Sequence, residues 1–157
     1  MARAQPASGR SRPILRGDRV GDSCGARGLG VIYLDSCLVI YAAEDRGERG
    51  VAAHRAIRSA DRPAISPLVM LECLVGPLRS GDFALRGRYE HMFGELSVVD
   101  LGQSAFVRAA ELRALHGVRT PDALHLAAAQ LSGCRELWTN DERLTRASNG
   151  FARNVLR

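Results

Sequence analysis

The chain contains no lysine, and all 22 of its basic residues are arginine. Phospho-accepting receiver domains and aspartate-nucleophile phosphatases both place a lysine beside the phosphate, so the absence of lysine excludes both classes. The first predicted strand is not followed by a glycine-rich loop, which excludes a Rossmann dinucleotide site. No Gly-Lys-Ser or Gly-Lys-Thr sequence is present either, so the chain has no P-loop.

Cysteine is also scarce, and its spacing is irregular. No two of the four cysteines form a C-x-x-C pair, so neither a disulfide framework nor a structural zinc site is predicted, and we expect free thiols. No apolar run is long enough to span a membrane, and the N-terminus lacks the apolar centre of a secretory signal. We therefore expect a cytosolic protein that does not associate with membranes.

What the sequence does contain, from residue 31 onward, is an alternation of short apolar runs and amphipathic segments. Strands are predicted at residues 31–35, 64–65, 96–101, 136–139 and 151–156. Helices are predicted at residues 37–43, 47–60, 67–79, 82–94, 104–116, from 121 to just before Gly133, and from 142 to about 147. Short connections between them predict parallel βαβ units, and hence a three-layer α/β/α sandwich with a mainly parallel sheet over residues 31–157.

Four acids stand where their side chains can converge. Asp35 and Asp141 follow predicted strands. Asp122 lies in the first turn of a helix with Thr120 as its predicted N-cap and Pro121 as its first residue. Glu72 interrupts an apolar helix that has Ser66 as its predicted N-cap and Pro67 as its first residue. Each acid also has a simpler interpretation, since a carboxylate in a first helical turn is favoured by the helix dipole alone.

If the four acids meet at the carboxyl edge of a parallel sheet, their charges need neutralisation. Neighbouring carboxylates repel one another unless a hard cation holds them together, and oxygen ligands favour Mg²⁺ or Mn²⁺ over zinc. A cation of this kind polarises a phosphodiester and activates water. The pattern thus favours hydrolysis of a nucleic-acid backbone.

The residues around these acids resemble a known family. The sequence reads Tyr-Leu-Asp-Ser at 33–36, Ile-Ser-Pro-Leu-Val-Met-Leu-Glu at 65–72, Thr-Pro-Asp-Ala-Leu-His-Leu-Ala-Ala-Ala at 120–129 and Leu-Trp-Thr-Asn-Asp-Glu-Arg-Leu at 137–144. In this order and at this spacing, the four motifs closely resemble the PIN-domain family and, within it, the VapC-type ribonuclease toxins of type II toxin–antitoxin pairs. No single motif is specific, but the set is.

The resemblance implies a Mg²⁺-dependent endoribonuclease in which Mn²⁺ can substitute. Water would attack the scissile phosphodiester in line and leave a 5′-phosphate. The family's acidic quartet, catalytic and metal-binding, corresponds to Asp35, Glu72, Asp122 and Asp141. Asp35 and Asp122 would bind Mg²⁺ directly, and the other two acids would complete the site directly or through water. The polar neighbours that orient the acids or waters correspond to Ser36, Thr139 and Asn140.

The resemblance also implies partners, and it leaves alternatives open. A cognate antitoxin would cover the acidic crevice with an extended or helical segment, and the protein would form a homodimer. The competing interpretation is a catalytically silent module that binds RNA or a partner on the same fold; such a module would lack an acid, and none is missing. His125, three residues after Asp122, is either a further ligand or a packed, hydrogen-bonded side chain.

The N-terminal segment departs from the family pattern. Residues 1–30 carry six arginines and only two acids, whereas residues 31–157 carry sixteen arginines and fifteen acids. The net charge of +5 is therefore largely a property of residues 1–30, which lack apolar runs and are expected to be disordered. Two interpretations stay open: a mis-assigned start, with Val31 written by an alternative GTG codon, or a native basic tail that contacts RNA phosphates.

Overall fold

The computed structural model describes residues 30–156. The predicted disordered tail, apart from Gly30, lies outside the described residues, and both interpretations of it stay predictions. Gly30 is buried directly before the first strand and has a φ of +100°, a backbone conformation that favours glycine. A Cβ atom there would lie 2.0 Å from the Asp61 carboxylate, so no other residue fits without a shift.

Strands and helices alternate along the described chain as predicted. The elements are β1 (Val31–Leu34), α1 (Ser36–Glu44), α2 (Glu48–Ser59), β2 (Arg62–Ile65), α3 (Pro67–Ser80), α4 (Phe83–Gly94), β3 (Ser97–Val98), α5 (Gln103–His116), α6 (Thr120–Leu131), β4 (Glu136–Thr139), α7 (Glu142–Ala147) and β5 (Ala152–Asn154). Within residues 30–156, none of the helices is both long and apolar enough to cross a bilayer.

The five strands form one parallel sheet in the order β3-β2-β1-β4-β5. Tyr33 on the central strand pairs with Ala64 of β2 on one side and with Leu137 of β4 on the other. The chain runs outward from β1 to β3, crosses back to β4, and then runs outward again to β5. Because such crossovers are right-handed, α1 to α4 cover one face and α5 to α7 the other. The predicted three-layer sandwich is confirmed.

The core surrounds β1 and the helix α6. Tyr33 and Leu34 are fully buried, and every residue from 123 to 129 on α6 is buried as well. Four of those seven residues are alanine, which lets α6 approach both the sheet and the neighbouring α5 closely. Asp122 comes directly before this run, so the fold carries it to the edge of the core.

Several boundaries differ from the predictions. β3 is only two residues long, where a strand was predicted over residues 96–101, because it pairs only with Ala64 and Ile65 at the sheet edge. β2 begins at Arg62, two residues before the predicted start of the strand, and therefore includes Pro63. At the opposite edge, β5 is Ala152–Asn154, within the predicted residues 151–156.

Two predicted helix caps also differ in detail. α6 begins at Thr120 itself, and Arg119 occupies the capping position that was predicted for Thr120. Asp122 still lies in the first turn. Ser66 occupies the predicted capping position of α3, but its side chain makes no cap hydrogen bond. Its hydroxyl lies instead 2.7 Å from the hydroxyl of Tyr33, a contact that reaches toward the candidate site.

Candidate active site

Asp35 lies at the centre of the candidate site, directly after β1. Asp35 is only 7% exposed, and its backbone N–H donates to the carbonyl of Trp138 on β4 at 3.0 Å. The Thr139 hydroxyl donates to Oδ2 at 2.6 Å, and the Ser36 hydroxyl donates to Oδ1 at 3.3 Å. The Cys37 thiol adds a 3.3 Å contact to Oδ2. A buried carboxylate is thus held in one orientation by donors on both of its oxygens.

Thr139, at the end of β4, joins Asp35 to Asp141. Its hydroxyl oxygen accepts a hydrogen bond from the backbone N–H of Asp141 at 2.9 Å while its proton goes to Asp35. Asp141 in turn caps α7, because its Oδ1 accepts from the backbone N–H groups of Arg143 at 2.6 Å and Leu144 at 3.2 Å. Within the described residues, Oδ2 of Asp141 makes no hydrogen bond and stays available to a ligand.

Glu72 reaches the site from the second turn of α3. Its Oε2 lies 2.9 Å from Nε2 of His125, and the imidazole N–H must be the donor because an ionised carboxylate only accepts. Burial acts to raise the pKa of Glu72, but the hydrogen bond and charge of His125, with a hydrogen bond from Ser36, outweigh it and set the pKa below its ordinary value. The same Nε2 is 3.6 Å from Oδ1 of Asp35.

Behind His125 lies a chain of buried hydroxyl groups. Nδ1 of His125 is 2.8 Å from the Tyr33 hydroxyl, which is itself hydrogen-bonded to Ser66. Tyr33 and Ser66 have no exposed surface, and His125 is 2% exposed. In the described part of the chain, no buried side-chain nitrogen or oxygen lacks a partner. Of the two interpretations of His125, the structure shows the packed, hydrogen-bonded side chain, with both ring nitrogens engaged.

Asp122 is half-buried at the start of α6. Burial raises its pKa, the negative charges of Asp141 and Asp35 raise it further, and His125 and Arg119 offset these effects only in part. The pKa of Asp122 therefore lies above its ordinary value, because burial and the negative charges of Asp141 and Asp35 disfavour its ionised form.

The four predicted acids thus lie at the same end of the sheet. Asp35 and Asp141 flank the point where the strand order reverses, between β1 and β4, which is where open α/β sheets bind ligands. Within residues 30–156, no group of three or more His, Cys, Asp or Glu side chains is placed to hold a metal ion. The donors nevertheless fit a hard divalent cation, because they are carboxylate oxygens and because a cation would relieve the repulsion at Asp122.

The predicted polar neighbours have different roles in the structure. Ser36 and Thr139 hydrogen-bond to Asp35 as expected. Asn140 contributes its backbone N–H to the Cys37 sulfur at 3.3 Å, and among the described residues its side chain makes no hydrogen bond to any of the four acids. Sequence reasoning missed Tyr33, Ser66 and Cys37. A tyrosine in a buried strand was the available signal, since its hydroxyl requires a buried partner.

Comparisons with known proteins agree with this geometry. The sequence profile of the PIN domain matches residues 32–150. The chain belongs to the PIN domain family, and the family resemblance of its motifs is confirmed at that level. No curated protein matches it significantly.

Solved structures with the same fold include several toxin–antitoxin proteins. A toxin–antitoxin complex from Klebsiella pneumoniae is 22% identical with a TM-score of 0.66, over 78% of this chain and 96% of that one. VapBC2 from Rickettsia felis, bound to a DNA fragment from its promoter, is 18% identical with a TM-score of 0.66, over 79% and 98%. Mycobacterium tuberculosis VapC20, a toxin that cleaves the sarcin-ricin loop, is 16% identical with a TM-score of 0.64, over 74% and 94%. At these identities the likeness shows a shared fold.

Proposed function

We propose that this protein is a divalent-metal-dependent endoribonuclease and the toxin of a type II toxin–antitoxin pair. The observation that supports the proposal is the set of contacts around Asp35 at the carboxyl end of a parallel sheet in a PIN domain. Thr139 links Asp35 to Asp141, and His125 bonds to Glu72 while lying 3.6 Å from Asp35. The charges of Asp35 and Asp141 raise the pKa of Asp122. The proposal is also supported by the sarcin-ricin loop cleavage attributed to one protein of the same fold.

Each acid has a role in this proposal. Asp35 and Asp122 would hold Mg²⁺ directly, with Mn²⁺ as a substitute, and Glu72 and Asp141 would complete the site directly or through water. When bound, the ion supplies the charge that polarises the phosphodiester and acidifies the attacking water. The chain's own contribution is to fix the acids in place, since Ser36 and Thr139 orient Asp35 and the α7 cap orients Asp141. Water would attack phosphorus in line with the P–O3′ bond, and the 3′-oxygen would leave, so that cleavage would give a 5′-phosphate and a 3′-hydroxyl.

The surface beside the acids supports a polyanionic substrate. Asp141 lines a cleft together with Arg143 and Arg146, and Asp122 lines a neighbouring cleft with Arg119 and the same two arginines. Cations spaced along clefts that open on an acidic centre suit an RNA strand, whose phosphates require neutralisation. The acids alone would repel such a strand, so these arginines are needed for RNA to approach.

The proposed partner is a cognate antitoxin, and the proposed assembly includes a homodimer of the toxin in the cytosol. Proteins of the same fold are known in complexes named toxin–antitoxin, some of them bound to DNA. The outer face of α3 offers an apolar surface for such contacts, because Leu71, Val75 and Leu78 are between 42% and 59% exposed.

Cleavage assays test the proposal. Wild-type protein with Mn²⁺ should cut RNA, and EDTA should abolish cutting. Asp122→Asn should reduce the rate at least about 100-fold, because it removes a charged oxygen ligand. Asp61→Asn, the same change at the opposite end of the sheet, is the matched control and should cut as wild type does. Equal rates for wild type and Asp122→Asn would refute the nuclease. If wild type, Asp122→Asn and Asp61→Asn all bound RNA and none of them cut it, the catalytically silent binding module would be favoured.

A further inference from the structure

We propose that His125 is a positioning residue, which fixes the carboxylate of Glu72 for metal binding through a buried chain of hydrogen bonds. The chain runs from Ser66 through Tyr33 and His125 to Glu72, with successive distances of 2.7, 2.8 and 2.9 Å. This inference rests on the proposed metal-dependent function of the same site. It assigns a function to the buried side chains of Ser66, Tyr33 and His125, which have no role in the proposed catalytic set of four acids.

The direction of the hydrogen bonds follows from the donors available. Glu72 only accepts, so Nε2 of His125 carries a hydrogen and donates it. In the neutral imidazole, Nδ1 then accepts from the Tyr33 hydroxyl, whose oxygen is left to accept from Ser66. If the imidazole is protonated, the His125–Tyr33 and Tyr33–Ser66 bonds reverse, but Nε2 still donates to Glu72. The contact that holds Glu72 is therefore the same in either state.

The chain of hydrogen bonds connects β1 to α3, the two elements next to Asp35 and Glu72. Tyr33 lies on β1, two residues before Asp35, and Ser66 comes directly before α3, which carries Glu72. Tyr33 and Ser66 are fully buried, so they cannot exchange their bonds for bonds to water. The hydrogen bonds thus hold α3 against β1 at the level of the site, and they fix Glu72 relative to Asp35.

Glu72 needs such a contact because of its own flexibility. Its side chain is half-buried and has three rotatable bonds, so ordering it costs rotamer entropy. His125 is rigid by comparison, since burial and the Tyr33 bond fix its ring. The bond between them orders Glu72 before any cation arrives. Removing a hydrogen-bond partner of this kind from a metal site typically lowers metal affinity or activity 10–100-fold.

The test compares two substitutions at His125 by calorimetric titration with Mn²⁺. His125→Leu removes the donor and should raise the Kd for Mn²⁺ about 10-fold or more. His125→Gln places an amide N–H near the position of Nε2 and should recover most of the affinity. In RNA cleavage at a fixed, subsaturating Mn²⁺ concentration, His125→Leu should lower kcat while KM for RNA stays within about twofold. His54→Gln, on the exposed face of α2, is the control and should change neither.

Coupling to Glu72 is tested with a double mutant. If His125 acts through Glu72, His125→Leu should change the Kd by less than about twofold in a Glu72→Gln background. An equal loss in both backgrounds would overturn the proposal, as would a folded His125→Leu with wild-type Mn²⁺ affinity and kcat. Equal impairment of His125→Leu and His125→Gln would overturn it too, because packing and not the hydrogen bond would then be responsible.

Tyr33→Phe keeps the test usable if His125→Leu does not fold. It retains the ring but removes the hydroxyl, and it should weaken Mn²⁺ binding in the same direction. Tyr89→Phe is its control, since the buried Tyr89 bonds to Glu44 instead. Unchanged Mn²⁺ affinity in Tyr33→Phe would count against the proposal. Wild type that binds Mn²⁺ but cuts no RNA would refute the nuclease and leave the His125 inference standing on the Mn²⁺ titrations.

Discussion

The Thr139 hydroxyl donates a 2.6 Å hydrogen bond to Asp35 across the ends of two adjacent strands. The same oxygen accepts from the backbone N–H of Asp141 at 2.9 Å. One fully buried hydroxyl therefore fixes two acids that lie 106 positions apart in the sequence. The position of Asp141 relative to Asp35 depends on it.

Thr139→Val should damage both stability and activity. The two side chains have nearly the same shape, so the change removes the hydroxyl and leaves a buried carboxylate oxygen of Asp35 without its closest donor. We expect a loss of about 1–3 kcal/mol in the free energy of unfolding, measured in urea, and a slower RNA cleavage rate. Thr139→Ser retains the hydroxyl and should keep most of the activity. If Thr139→Val cleaved RNA as fast as Thr139→Ser, the Thr139 hydroxyl would not orient the acids of the site.

Substitutions at Asp141 should separate its two roles. Asparagine is as good a helix cap as aspartate, so Asp141→Asn should leave the unfolding free energy almost unchanged while it slows cleavage. Asp141→Ala removes the cap on α7 and should lose a further 0.5–2 kcal/mol or so of stability as well as activity. Urea unfolding and RNA cleavage measure the two effects separately. Full activity in Asp141→Asn would remove this acid from the proposed catalytic set.

Asp122→Asn should have opposite effects on stability with and without metal. In EDTA the raised pKa of Asp122 means that its ionised form is disfavoured in the folded state. Removing the charge should then stabilise the protein at neutral pH, by about 1 kcal/mol or less because the residue is only half-buried. In Mn²⁺ at about 100 times its Kd, wild type should gain about 2.7 kcal/mol and become the more stable protein.

The pH dependence of this effect has a definite sign. A carboxyl group whose folded pKa is raised reduces stability above that pKa, and the penalty disappears as the pH falls below the ordinary value of 3.8. The stability difference between Asp122→Asn and wild type in EDTA should therefore be largest near neutral pH and shrink as the pH falls. A difference that grew on acidification would show that the Asp122 carboxylate is stabilised in the folded state.

Arg143→Gln should weaken RNA binding without changing the chemistry. Arg143 lines both clefts that contain Asp122 and Asp141, so it is placed to contact a phosphate. We expect KM to rise several-fold with kcat nearly unchanged, and the slope of log affinity against log salt to fall by about one. Arg88→Gln, exposed on α4, is the control. An unchanged salt slope in Arg143→Gln would place the RNA elsewhere.

The sheet and the acid positions could be predicted because their signals are local. Glu136–Thr139 was predicted without error, since an apolar run that ends on polar residues marks a buried strand. Asp35, Asp122 and Asp141 each follow a strand or begin a helix, and a parallel sheet brings such ends together. The end of β3 could not be predicted, because pairing with Ala64 and Ile65 decides it and the sequence of residues 96–101 does not.

The support behind the acids could not be predicted, because its contacts are distant in sequence. His125 is 92 positions from Tyr33 and 53 from Glu72. On an apolar helix, a packed and hydrogen-bonded His125 is expected more often than a metal ligand, and only the fold shows which partners occupy both of its ring nitrogens. The Ser66 hydroxyl was misjudged for the same reason, since the capping position was visible in the sequence and the buried Tyr33 partner was not.

Diffraction from a crystal soaked in Mn²⁺, measured at the Mn absorption edge, shows whether the four acids bind a divalent cation. We expect an anomalous peak with carboxylate oxygens of Asp35 and Asp122 at bonding distance, about 2.0–2.2 Å, and with Glu72 and Asp141 at most one water further away. No peak at saturating Mn²⁺, or a peak away from the end of β1, would contradict the proposed metal site.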